Sequence, residues 1–163
     1  MIRSNIIFKN RYIISVHISI MNSENVYILD DRAILYINGS DSDKYLQNLI
    51  SNDIKKVNES KSCFASLLSP QGKFLFDFII VKHKDGYFLD CEKKIVDQLY
   101  KKLTTYKLRS KVEILNLSNE FVVAAFSYDK FLSIQGTRDE LGHTVKYNED
   151  HVFLDPRNRK LGG

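Results

Sequence analysis

The chain has 163 residues, which predicts one domain of ordinary size, and its 44% hydrophobic and 27% charged content suits a globular protein with its own core. A formal charge of +4 over 24 basic and 20 acidic residues does not indicate a dedicated nucleic-acid binder, and DNA is not an expected partner. Two cysteines, Cys63 and Cys91, and four histidines show no metal-ligand spacing, and no window approaches the roughly 18 apolar residues of a membrane span.

Residues 1–20 carry Arg3, Lys9 and Arg11 and no acid, and they read as an N-terminal extension outside the fold, with residues 21–163 forming the domain. Val26–Leu29 and Ala33–Ile37 are short β-prone runs, and Asp30-Asp31 between them predicts a tight hairpin. After Asn38-Gly39, Ser40 or Asp41 can cap a helix reaching Ser51, with Tyr45, Leu46, Leu49 and Ile50 on its apolar face. Ser62–Leu68 and the long apolar run Lys73–Lys82 are strands separated by a Ser-Pro-Gln-Gly turn. Another turn at Lys84-Asp85-Gly86 returns the chain through Tyr87–Asp90.

A second helix is predicted over Glu92–Tyr106, with Ile95, Leu99 and Leu103 at helical spacing. Val112–Leu117, Phe121–Ala125 and Val152–Leu154 complete the strands. The order describes an α+β domain with a mainly antiparallel sheet and flanking helices. Its last forty-odd residues supply strands but no covering helix. The second half therefore reads as incomplete, with an apolar sheet face left for self-association or a partner chain.

No Gly-x-Gly-x-x-Gly, Walker lysine loop or Gly-x-Ser-x-Gly is present, so a nucleotide-dependent enzyme or an ordinary hydrolase is not expected. Four segments carry a family likeness: LDDRAILYINGSDSDKYLQNLISNDI (29–54), LLSPQGKFLFDFII (67–80), TTYKLRSKVEI (104–114) and FLDPRNRKLG (153–162). Their content and order resemble YgfZ-like proteins, within the superfamily that contains the glycine-cleavage T protein, an aminomethyltransferase. The resemblance implies a folate-binding domain made of two strand-and-helix units that exchange strands, with tetrahydrofolate or a derivative as cofactor. It also implies an accessory role for iron–sulfur client enzymes, tRNA-modifying ones included, in the cytoplasm.

The resemblance points to residues as well. The glycine-cleavage branch carries two adjacent acids at positions matching Phe76 and Asp77, and only Asp77 is an acid here, which counts against aminomethyl transfer. Arg32 matches a position where a YgfZ-type aromatic touches folate, and its planar guanidinium could stack on a pteridine. Lys107, Arg109 and Lys111 alternate, so in an extended chain they would share one face suited to a polyglutamate tail or an RNA phosphate. For each of these five positions a solvated surface role is the competing reading. The family's later Lys-Gly-Cys-(aromatic)-x-Gly-Gln-Glu block does not occur in these 163 residues, so its cysteine role passes to neither Cys63 nor Cys91. A folate-dependent one-carbon transferase and a non-functional fragment stand as alternatives to the helper.

Overall fold

The computed structural model describes residues 3–9, 26–147 and 150–157. Its strands are β1 (Arg3–Lys9), β2 (Val26–Ile28), β3 (Arg32–Asn38), β4 (Cys63–Leu68), β5 (Phe74–His83), β6 (Gly86–Glu92), β7 (Glu113–Asn116), β8 (Phe121–Ser127), β9 (Thr144–Tyr147) and β10 (Asp150–Leu154). The helices are α1 (Ser42–Gln47), α2 (Val96–Lys107) and α3 (Tyr128–Leu132).

Two five-stranded sheets result, ordered β4-β5-β6-β3-β7 and β2-β8-β1-β10-β9, and every pairing between their strands is antiparallel. The α+β expectation holds. The apolar runs explain why the strands carry core on both faces. In β5, Phe78 and Ile80 pack under α1 and α2 beside Tyr45, Leu46, Leu99 and Leu103, while Ile79 and Val81 face the other sheet. The faces of the two sheets meet through Ile34, Ile79, Val81 and Phe88 on one side and Ile7, Val123 and Phe153 on the other. This inter-sheet seam positions the candidate site.

Four expectations need correction. Arg3–Lys9 lie inside the fold: β1 pairs with β8 on one side and β10 on the other, and Ile7 is buried in the seam. The run Ile6-Ile7-Phe8 is the β-prone stretch that a central strand needs, and the flanking positive charge hid it. Residues 10–25 are outside the described set.

Second, β2 and β3 are not a hairpin. β2 pairs with β8 and β3 with β6 and β7, so Asp30-Asp31 passes the chain from one sheet to the other. A two-residue hairpin turn needs positive φ, which neither aspartate adopts. Third, α1 is shorter than predicted, and Asp41 does not cap it through its side chain. The carboxylate instead accepts the backbone N–H of Lys111 at 2.7 Å.

Fourth, the second sheet has its covering helix. α3, capped by the Ser127 side chain, inserts the fully buried Phe131 against Ala124, Phe126, Val152 and Leu154. Five residues are too short for a periodicity signal, which is why the sequence showed an open face there. Glycine is required where the loops close. Gly39 has φ +117, and a Cβ there would lie 2.3 Å from the Lys111 carbonyl oxygen.

Candidate functional site

β3, β5 and β6 turn alternate residues toward the seam. On that face β3 offers Arg32, Ile34 and Tyr36, β6 offers Phe88 and Asp90, and β5 offers Asp77, Ile79 and Val81. Most of these are apolar, so the charges concentrate at one end.

Asp90 is fully buried there. Arg32 donates through Nε to Asp90 Oδ1 at 2.7 Å and through Nη2 to the Asp90 carbonyl oxygen at 2.9 Å. The register of β3 against β6 explains the meeting: Ile34 sits opposite Asp90 and Arg32 opposite Glu92, so the long arginine side chain reaches back one diagonal. Burial drives the Asp90 carboxyl above its ordinary pKa, and Arg32 opposes that shift. Among the described residues, Asp90 Oδ2 has no hydrogen-bond partner.

The end of β10 brings two more charges. Asp155 follows Phe153 on the seam face and is 4% exposed. Arg157 donates through Nε to both Asp155 oxygens, at 2.9 and 3.1 Å, and its Nη2 also binds Asp155 Oδ2. Those bonds raise the arginine's pKa, and Asp90 and Asp77 contribute field. Three acids (Asp77, Asp90, Asp155) and two arginines (Arg32, Arg157) therefore share one end of the seam, for a formal charge of −3 + 2 = −1.

Of the five residues singled out in the sequence, Arg32 and Asp77 belong to this cluster. Phe76, next to Asp77, points the opposite way and packs against the helix-covered core. Lys107, Arg109 and Lys111 lie elsewhere. They follow α2 near the Asn38 end of β3, about 20 Å from Arg32 at a strand rise of about 3.3 Å per residue. Nor is their segment extended: Lys107 ends the helix, and Leu108 turns the chain with φ +47.

Asp90, Asp155 and Arg157 were not singled out. Their signal was slight, a lone acid in the apolar run Tyr87–Cys91 and a Pro-containing turn after the last strand. Both thiols are buried on the helix side of the first sheet, which pushes Cys63 to about 11 and Cys91 to about 12, so neither is a nucleophile at neutral pH. Among the described residues no three His, Cys, Asp or Glu side chains are placed so that they could hold a metal ion, and no helix is long and apolar enough to cross a membrane.

The architecture has a solved counterpart. The glycine cleavage system aminomethyltransferase T from Bartonella henselae superposes with TM-score 0.64 over 80% of this chain and 42% of its own, at 10% identity, a likeness of fold alone. Two sheets exchanging strands around a charged seam thus define an aminomethyltransferase-type domain.

Sequence comparison narrows this. The mitochondrial iron–sulfur cluster assembly factor IBA57 homologue of Mycosarcoma maydis is 30% identical over 145 residues, covering 80% of this chain and 33% of that protein. The tRNA-modifying protein YgfZ of Aliivibrio fischeri is 29% identical over 125 residues, covering 77% and 39%. An aminomethyltransferase of Caldanaerobacter subterraneus is 26% identical over 129 residues, covering 78% and 32%. No family model matches the chain. The chain is similar in sequence to proteins of the YgfZ/IBA57 type and to aminomethyltransferases of the glycine-cleavage T-protein superfamily. It spans about a third to two fifths of the length of these relatives.

Proposed function

We propose that this domain binds a reduced folate at the charged end of the seam and serves as an accessory protein for iron–sulfur enzymes, tRNA-modifying ones among them. The observation that carries the ligand is the orphaned Asp90 Oδ2, a buried acceptor in a cluster of net charge −1. A buried acceptor without a partner costs free energy that a ligand's donors can recover. The pteridine of a folate presents an amino group and a ring N–H side by side, donors suited to a carboxylate. Arg32 and Arg157 suit the pteridine's carbonyl oxygen, and Asp77 and Asp155 hold the guanidinium charges in balance. These residues fit the head of a folate. Lys107, Arg109 and Lys111 are too distant to act on the same short ligand.

The accessory role rests on the names carried by the IBA57 and YgfZ relatives. Transferase activity is the weaker reading, because Phe76 stands where the glycine-cleavage branch carries the first of its two adjacent acids. Two free, buried cysteines suit a reducing compartment, and we assign the cytoplasm, although the IBA57 relatives are named mitochondrial.

Thermal unfolding with and without ligand tests the reading. Tetrahydrofolate and its 5-formyl form should raise the melting temperature, as any ligand selective for the native state does. p-Aminobenzoylglutamate, which lacks the pteridine, should not. Equal stabilisation by all three, or none by any, would remove the pteridine site.

A further inference from the structure

The other end of β3 carries a surface that the folate reading does not use. Leu108 there is 88% exposed, with φ +47 and ψ −113. A left-handed φ is costly for a side chain such as leucine, and a fully solvated leucine gains nothing in return. The loop is nonetheless held firmly. Ser110 N–H donates to the Lys107 carbonyl oxygen at 2.9 Å, and Lys111 N–H to Asp41 Oδ2 at 2.7 Å.

Leu108 stands between two adjoining grooves of about 690 and 420 Å³. One runs past Lys44, Asn48 and Arg109. The other runs past Leu68, Pro70 and Tyr106. The turn walling the second groove is also pre-formed, with Ser69 Oγ accepting the N–H groups of Gln71 and Lys73. Phe74, 61% exposed, follows that turn on the helix side of β5.

The charge around this apolar ridge is mostly positive; Asp41, which lines the first groove, accepts the Lys111 N–H. Lys44, Lys73, Lys107, Arg109 and Lys111 border it, and none makes an ion pair among the described residues. We propose that the loop Lys107–Lys111 and the turn Ser69–Lys73 form a docking surface for an acidic segment of a partner protein that carries an exposed apolar side chain.

The grooves flanking Leu108 take the partner's apolar group, and the five cations meet its carboxylates. Rigid loops lower the ordering cost of such a contact. The chain's own N-terminal stretch does not fit, because residues 1–20 hold three basic residues and no acid. Single-stranded RNA would share the charge, but it stacks successive bases on several exposed aromatic faces, and among the described residues Phe74 is the one strongly exposed aromatic at this ridge.

The probe is a fluorescein-labelled twelve-residue peptide of aspartates and glutamates around a central Leu-Phe, read by polarisation. It is compared with the same peptide carrying Ser-Ser, with a lysine version, and with a twelve-nucleotide oligouridine. The acidic Leu-Phe peptide should bind best, and its affinity should fall severalfold from low to high salt. Leu108→Gly should weaken it at least about fivefold, the effect of losing one buried leucine, without lowering the melting temperature. Arg109→Glu should weaken it comparably, and folate stabilisation should persist in both variants. Stronger binding of oligouridine, indifference to the Leu-Phe pair or to either substitution, or no binding at millimolar peptide would overturn the proposal.

Discussion

Acidification should loosen the seam at its histidine end. His83 on β5 and His151 on β10 face each other across the two sheets, with His83 Nδ1 2.8 Å from His151 Nε2. The His83 ring stacks on Phe88 at 4.1 Å, and Tyr36 and Phe121 meet it edge-on. Burial first, then the field of His151, Lys84 and Lys146, lowers its pKa to about 4, with Glu59 pulling the other way. In the unfolded chain it titrates near 6.5. Between those values the unfolded state takes up a proton that the folded state refuses, so stability falls as pH falls, and above 6.5 this group contributes no slope. From pH 7 to 5 the full shift corresponds to about 2 kcal/mol, which partial solvent screening reduces to roughly 1 kcal/mol. Urea unfolding at pH 7, 6 and 5 measures it. His83→Gln, which cannot titrate but keeps a polar partner for His151, should remove at least half of the loss. Parallel pH profiles for the two proteins would refute the reasoning.

Other perturbations follow from the same geometry. Arg32→Ala leaves Asp90 buried without its cation and should cost about 3–5 kcal/mol in urea unfolding, whereas Arg32→Met with Asp90→Leu should recover most of that loss. Gly39→Ala forces a Cβ against the Lys111 carbonyl at positive φ and should destabilise by roughly 2 kcal/mol or more, read from the melting temperature. With Phe76 facing the helix core, incubation with tetrahydrofolate and an aminomethyl donor should yield no methylenetetrahydrofolate above a heat-killed control; turnover would favour the transferase.

The strands were legible where their composition forced them. Ser62–Leu68 and Lys73–Lys82 are apolar runs bounded by turn residues, and they became β4 and β5 within a residue or two. Pairing was less visible, because it depends on partners distant in sequence. Nothing local shows that Val26–Ile28 joins β8 rather than β3, or that Arg3–Lys9 lies between β8 and β10.

The site shows the same limit. Arg32 stood out, but its partner Asp90 is 58 residues away, and only the β3–β6 register brings them together. Arg32 is therefore held by an ion pair to the buried Asp90. The basic row is arranged differently for a local reason: the alternation of Lys107, Arg109 and Lys111 implies one face only in an extended chain, and the Leu108 turn ends the helix there instead.

Calorimetric titration with 5-formyltetrahydrofolate tests the central claim most directly, in the parent and in Asp90→Asn and Arg109→Ala variants shown to be folded. The parent should bind at micromolar strength, Asp90→Asn should lose about tenfold or more from removal of a charged acceptor, and Arg109→Ala should bind like the parent. Parent-like affinity in Asp90→Asn, or no heat from the folded parent, would contradict a folate site at the charged end of the seam.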